Sequence, residues 1–218
     1  MSELALAIVI PAFNEAATIA HVVTQARSLG NVIVVDDGSR DQTARLARDA
    51  GAHVVSLAGN SGYEQALSAG IKYAIDGGWA FAMTMDADGQ HDVVSAEALI
   101  TALGHADVAI GLRLRKQRIM EWTAGWLGSL LWNVPDPFSG LKLYRLETCG
   151  ALLPFDSRRL IGGEMFVRAL RSGLRVVGVP IVTAPRADSP RFDTNFRANI
   201  RLARATALLV AIYLGIVR

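Results

Sequence analysis

Residues 4–10 read Leu-Ala-Leu-Ala-Ile-Val-Ile, an unbroken apolar run. A strand with one face in water alternates apolar and polar side chains, so this run predicts a strand covered on both faces, as in a parallel sheet flanked by helices. Pro11-Ala-Phe-Asn-Glu15 ends it, and residues 18–28 then carry apolar side chains at helical spacing up to Gly30 and Asn31. The same alternation recurs. Residues 32–35 predict a second strand, and residues 41–50 a helix with Asp41 as N-cap and Gly51 as stop. Residues 54–57 predict a third strand, and Asn60-Ser-Gly62 leads into a helix reaching residue 75. Phe81-Ala-Met-Thr then opens a fourth strand. Strand and helix alternating four times define an α/β chain with a Rossmann-like, mostly parallel sheet.

Ligands of such sheets bind at the C-terminal strand ends. Here those ends carry Glu15 after the first strand, Asp36 and Asp37 after the second, and Asp86 and Asp88 after the fourth. Taken alone, Asp86-Ala-Asp-Gly-Gln-His91 reads equally as a helix-opening turn or as a pair of hard oxygen ligands for Mg²⁺ or Mn²⁺. Five carboxylates converging on one edge repel one another unless a cation or hydrogen-bonding ligand joins them, which favours a metal–nucleotide site.

The later chain is less regular. A helix is expected to residue 103 and a fifth strand over residues 106–110, followed by the basic stretch Arg113-Leu-Arg-Lys-Gln-Arg118. Residues 119–134 contain Trp122, Trp126 and Trp132 with Glu121 as their one charge. Two readings stand side by side: a core helix, or an amphipathic helix at a lipid interface with arginines for phosphates. Lys142-Leu-Tyr-Arg145 predicts a short strand and residues 163–172 a helix. Residues 174–182 predict an edge strand, because Pro180 cannot donate to a ladder. The segment 205–217 carries no charge, but as a helix it is about 20 Å long, short of the roughly 30 Å of a bilayer core. Arg197, Arg201 and Arg204 precede it, which fits a helix on an anionic membrane surface; packing onto the domain or onto a second copy in a homodimer is the alternative. Residues 1–195 are therefore expected to form the catalytic domain and 196–218 an apolar and basic helical appendage.

Composition narrows the setting. The chain is 51% hydrophobic and 19% charged, which suits life near a membrane. A net charge of +2 gives no electrostatic case for nucleic acid. Cys149 is the single cysteine, so no disulfide forms within the chain; it is expected to be a small buried hydrophobe. With Met-Ser-Glu-Leu at the start and no basic stretch before the first strand, no secretory signal is expected. A cytoplasmic protein, peripheral at the inner face of the cytoplasmic membrane, fits these features.

The motifs Pro11-Ala-Phe-Asn-Glu15, Val35-Asp-Asp-Gly-Ser39, Asn60-Ser-Gly62 and Asp86-Ala-Asp-Gly-Gln-His91 occur in register with the expected strands. With Asp136-Pro-Phe-Ser-Gly-Leu-Lys142 and Val179-Pro-Ile181, they resemble the family 2 glycosyltransferases, in particular the branch that glycosylates dolichol or polyprenyl phosphates. The resemblance implies the GT-A, or nucleotide-diphospho-sugar transferase, fold. It implies that Pro11, Ala12, Phe13, Glu15, Asp36, Asp37, Asn60 and Asp86 bind a GDP- or UDP-linked sugar. Asp86, Asp88 and Gln90 would hold the divalent ion, Mg²⁺ or Mn²⁺, on the diphosphate.

The matching acceptor helix reads Gly163-Glu164-Met165, so the Asp that many relatives use as base is Met165 here. A hydroxyl acceptor needs a base, whereas a lipid phosphate is already an oxyanion and needs arginines. Arg113, Arg118, Arg186 and Arg191 are candidates for it, with Ser139 by resemblance; Asp136 and Glu164 remain candidate bases, and the metal-binding Asp88 is expected to be catalytic as well. The expected reaction is an inverting, metal-dependent sugar transfer to a polyprenyl phosphate. A soluble hydroxyl acceptor or an inactive nucleotide-sugar binder is the alternative. Two features depart from the family pattern. Tyr63 and Glu64 stand where Lys or Arg and then a small residue are common, and the 218 residues hold none of the branch's multi-span membrane domains. A receiver domain, which also uses an Asp-Asp strand end, fits worse, because the pair follows the second strand and the chain is too long.

Overall fold

The computed structural model describes residues 5–113, 119–153, 155, 157–184 and 195–217. Within them one sheet contains β1 (Leu6–Ala12), β2 (Asn31–Asp36), β3 (His53–Ser56), β4 (Phe81–Thr84), β5 (Val108–Arg113), β6 (Lys142–Arg145) and β7 (Val176–Ile181), in the order β3-β2-β1-β4-β6-β5-β7. Every pairing is parallel except those of β6, which runs antiparallel between β4 and β5. The fold is thus the mostly parallel GT-A sheet that the motifs implied.

The reason for the unbroken apolar run is visible in β1, where every residue is buried. Leu6, Ile8 and Ile10 face one core with Val32 and Val34, while Ala7 and Val9 face the other with Ile33 and Val35. The first core is closed by α1 (Ile19–Ala26), α2 (Thr43–Asp49) and α4 (Val93–Leu103). The second is closed by α3 (Tyr63–Asp76), α5 (Ile119–Trp132), α7 (Glu164–Arg171) and α8 (Asn195–Tyr213). A short α6 (Leu146–Cys149) continues β6. α3 lies close on the sheet because Gly70 has no side chain: a Cβ there would come within 2.3 Å of Val9 Cγ1.

Several expectations shift for identifiable reasons. β5 runs on to Arg113 because Gly111, Leu112 and Arg113 find ladder partners in Val179, Pro180 and Ile181. β7 occupies a sheet edge, as Pro180 required. Asp41 is not the N-cap of α2. Its carboxylate instead accepts from the Thr43 amide at 2.9 Å and the Ala16 amide at 3.1 Å, joining two loops. The Thr43 hydroxyl also donates to it, and this bond with the two amides overcomes the effect of burial and holds its pKa below the usual carboxylate value.

α5 is buried on one side, as a core helix would be, and exposes apolar side chains on another. Trp132 is buried and meets Phe166 of α7 and Tyr213 of α8 edge to face, with centroids 5.6 and 6.1 Å away. Trp122, Trp126 and Leu130, one helical turn apart, are all more than 60% exposed. α8 packs on α5 and α7 through Leu202, Ala205, Leu209 and Ile212. Among the described residues no helix is long and apolar enough to cross a membrane.

Candidate active site

The loops at the C-terminal ends of β1 to β4 meet in a pocket of about 350 Å³. Pro11, Ala12, Phe13 and Glu15 reach it from β1, Asp37 from β2, Asn60 from the β3–α3 connection, Tyr63 from the start of α3, and Asp86, Asp88 and Gln90 from β4. Arg113 enters from the end of β5. Because β6 is antiparallel, the loop before it also lies at this edge, and Phe138 and Gly140 join the wall.

Local hydrogen bonds explain how the loops keep their shape. Asn14 adopts a left-handed backbone with φ of 53°, tolerated by an Asx side chain. It ties the first loop to the second: its amide donates to Ser39 Oγ and its own Oδ1 accepts from the Arg40 amide. Asp36 accepts from the Ser39 amide at 3.2 Å, is buried, and does not line the pocket. Asp37 accepts from the Ser61 amide at 2.7 Å and the Gly62 amide at 2.8 Å, so its carboxylate anchors the loop that starts α3. Asp88 Oδ1 accepts from the Gln90 amide at 3.1 Å, which closes the turn after β4.

Asp86, half-buried in the pocket, has a neighbour at each carboxylate oxygen. Tyr63 donates its hydroxyl to Asp86 Oδ1 at 3.0 Å, and His91 Nε2 lies 3.5 Å from Oδ2. A Cβ on Gly140 would fall 2.1 Å from the same Oδ2, so the backbone of the β6 loop presses against this carboxylate. Burial opposes ionisation of Asp86, but the His91 and Tyr63 hydrogen bonds and the nearby Arg113 charge prevail and lower its pKa to about 2. Burial and the Asp86 charge push the Tyr63 hydroxyl the other way, well above its usual value, so it remains a donor at neutral pH.

This donor set fits a hard divalent cation. Asp86 and Asp88 bring carboxylate oxygens to one pocket, and Gln90 Nε2 donates to Ala184 O at 3.2 Å, so its amide oxygen is the atom it could offer to a cation. Among the described residues no three His, Cys, Asp or Glu side chains gather closely enough to hold a metal by themselves. Substrate phosphates and water would therefore supply the remaining ligands.

The acceptor candidates divide. Arg113 lines the pocket and grips Asp136 with Nε at 2.7 Å and Nη2 at 2.9 Å. Burial works against the guanidinium charge, but the Asp136 pair more than offsets it and raises the arginine's pKa. Asp136 is itself buried behind that arginine and is not part of the lining. Ser139 is also buried; its carbonyl accepts from the buried Lys142 ammonium. Arg118, Arg186 and Arg191 lie outside the described residues.

Glu164, proposed as a base from sequence, stands outside the pocket lining with no exposed surface. It accepts from the amides of Ser157 and Arg158 and pairs with the Arg158 and Arg168 guanidinium groups. Its place in the structure is a buried ion cluster, and the neighbouring Met165 is a core residue. Residues given no site role from sequence also line the pocket: Glu121 of α5, Ile161, and Ala198, Arg201 and Leu202 of α8. Glu64, which appeared to place a negative charge against the donor, is buried and paired with Arg201, 137 positions along the chain. His91, without a role from sequence, sits against Asp86.

A Rossmann-like sheet with acidic loops at one edge and an antiparallel β6 defines the GT-A class. Solved structures carry the same fold. Glucosyl-3-phosphoglycerate synthase from Mycobacterium tuberculosis, in complex with Mn²⁺, UDP and glucosyl-3-phosphoglycerate, superposes with a TM-score of 0.76 at 22% identity, over 96% of this chain and 80% of that one. Residues 7–151 match the model of the glycosyl transferase family 2, and the chain belongs to that family. It is 30% identical over 202 residues to an undecaprenyl-phosphate mannosyltransferase of Micrococcus luteus, covering 82% of this chain and 83% of that protein. It is 28% identical over 204 residues to a polyprenol monophosphomannose synthase of Mycolicibacterium smegmatis, covering 82% and 77%. The protein is thus a family 2 glycosyltransferase, and the resemblance to the polyprenyl-phosphate branch is borne out.

Proposed function

We propose that this glycosyltransferase moves a sugar, with inversion, from a GDP- or UDP-linked donor to a polyprenyl phosphate. The observation that carries the reading is the gathering of Asp86, Asp88, Gln90 and Arg113 in one pocket with the Pro11–Glu15 loop. Asp86, Asp88 and Gln90 hold Mg²⁺ or Mn²⁺, which when bound neutralises the charge developing on the departing nucleoside diphosphate. The named relatives act on polyprenyl phosphates, and a structural neighbour was solved with Mn²⁺ and UDP.

In the transfer, a phosphate oxygen of the acceptor forms a bond to the anomeric carbon as the bond from that carbon to the donor phosphate breaks. The nucleoside diphosphate leaves with the electron pair. Pro11, Ala12, Phe13 and Glu15 seat the nucleoside, and Asn60 lies beside it. Arg113, held straight by Asp136, presents its charge to the acceptor phosphate. The acceptor arrives already ionised and requires no base. This agrees with the commitment of Asp136 to one arginine and of Glu164 to two. Trp122, Trp126 and Leu130, exposed one turn apart on α5, offer an apolar stripe for peripheral contact with the membrane that holds such an acceptor, and Phe196 and Ile200 of α8 are exposed as well.

The test is transfer of labelled sugar from GDP- and UDP-sugars with Mn²⁺ to a short-chain polyprenyl phosphate. Product extractable into organic solvent, lost in Asp88→Asn, is the expected result. Transfer to a soluble hydroxyl acceptor without transfer to the polyprenyl phosphate overturns the acceptor assignment. Absence of turnover with every donor would leave a nucleotide-sugar binder.

A further inference from the structure

The first turn of α3, with the tyrosine and glutamate that sequence set against the donor, is tied into the site by several hydrogen bonds. Asp37 accepts from the Ser61 and Gly62 amides and fixes the approach to the turn. Glu64 pairs with Arg201 and fixes its outer side. Between them Tyr63 lines the pocket and donates its hydroxyl to Asp86 Oδ1 at 3.0 Å. His91 Nε2 stands at the other oxygen, 3.5 Å from Oδ2, and the Gly140 backbone leaves that side no room for a methyl group.

A carboxylate on a short side chain rotates about its last bond, and its value as a ligand depends on where its oxygens are held. Each oxygen has two lone pairs, so one that accepts a hydrogen bond can still meet a cation. Partners that orient a ligating side chain typically change metal affinity 10–100-fold when removed. We propose that Tyr63 is a positioning residue for Asp86, its hydroxyl fixing the carboxylate in the orientation that holds the divalent cation of the donor. The tyrosine thereby does through Asp86 what a cationic side chain at the same position would do directly: it stabilises the diphosphate end of the donor. This inference rests on the reading of Asp86 and Asp88 as the cation site.

The test uses the full chain and Tyr63→Phe, which retains the ring and removes only the hydroxyl. Mn²⁺ binding is followed by the loss of the free-ion electron paramagnetic resonance signal, with UDP and with GDP, and nucleotide binding is measured separately in EDTA. The expected result is Mn²⁺ binding about 10–100-fold weaker in the variant, with nucleotide binding in EDTA unchanged. Tyr63→Met, which removes ring and hydroxyl together, should lose at least as much, and it carries the same test if the phenylalanine variant does not fold. Equal Mn²⁺ affinity in wild type and Tyr63→Phe overturns the proposal while leaving the cation site intact. A parallel loss of nucleotide binding in EDTA also overturns it, because the ring would then support the pocket in general. Failure of the wild type to bind Mn²⁺ with either nucleotide removes the cation site itself and the proposal with it.

Discussion

Arg113 and Asp136 form a two-pronged ion pair at the pocket wall, with Nε 2.7 Å and Nη2 2.9 Å from the two carboxylate oxygens and the Arg113 amide 3.1 Å from Oδ2. Asp136 therefore holds both the backbone and the head of the arginine at the end of β5. Replacing Asp136 by Asn keeps the volume but strands a largely buried guanidinium. Breaking a buried pair from one side costs about 3–5 kcal/mol. Denaturant titration of Asp136→Asn should show a loss of at least about 2 kcal/mol, because Arg113 keeps some contact with water. A loss below about 0.5 kcal/mol would show that the pair contributes nothing to stability.

Gly140 and Asp86 are too close for any side chain between them. Gly140→Ala brings a methyl group to 2.1 Å from Asp86 Oδ2, so the carboxylate or the β6 loop must move. Overpacking of this kind costs about 1–3 kcal/mol. The expected outcome is a lowered melting temperature together with weakened Mn²⁺ binding, read by thermal denaturation and titration. Unchanged values in both would mean that the loop yields freely.

The exposed face of α5 makes a prediction about membranes. Trp122 and Trp126 are 62% and 67% exposed, and burying an apolar side chain of this size contributes about 1.5 kcal/mol or more, roughly tenfold in partitioning. Co-sedimentation with vesicles containing anionic lipid should fall about tenfold in either Trp→Ala variant, with the fold unchanged by circular dichroism. Binding that is insensitive to both substitutions would remove this face as the point of contact.

Cys149 is buried, and burial pushes its thiol up to about 11. The thiol should resist alkylation at pH 8 in the folded protein and react once the chain is unfolded. The linkage has a definite sign. The unfolded thiol loses its proton from about pH 9, while the folded one keeps it to about 11. Stability is fully present below pH 9 and declines through that window. Cys149→Ala should show a flatter decline between pH 9 and 11 than wild type when the two are compared by denaturant titration.

The strands and the acidic strand ends were legible because they are written in local pattern. β1 is covered on both faces and therefore reads as an apolar run, and Asp86 and Asp88 follow β4 within a few residues. Pro11, Phe13, Glu15, Asn60 and Gln90 reach the pocket for the same reason: a parallel sheet delivers all such loops to one edge. Only the tertiary structure decided which side chains meet. β6 enters antiparallel between β4 and β5, which places Gly140 against Asp86, and no spacing in the chain announces that pairing. Glu164 stayed a candidate base in sequence because it is the acid beside Met165, which holds the place of the usual base. Its environment of two arginines depends on how a loop and α7 pack. Tyr63 and Glu64 looked like obstacles because residue type alone gives size and charge. Their partners, Asp86 at a separation of 23 residues and Arg201 at 137, become neighbours only when the sheet stacks α3 beside β4 and lays α8 over the pocket. Periodicity is a short-range property of the chain, whereas the direction of a side chain and the identity of its partner are set by packing.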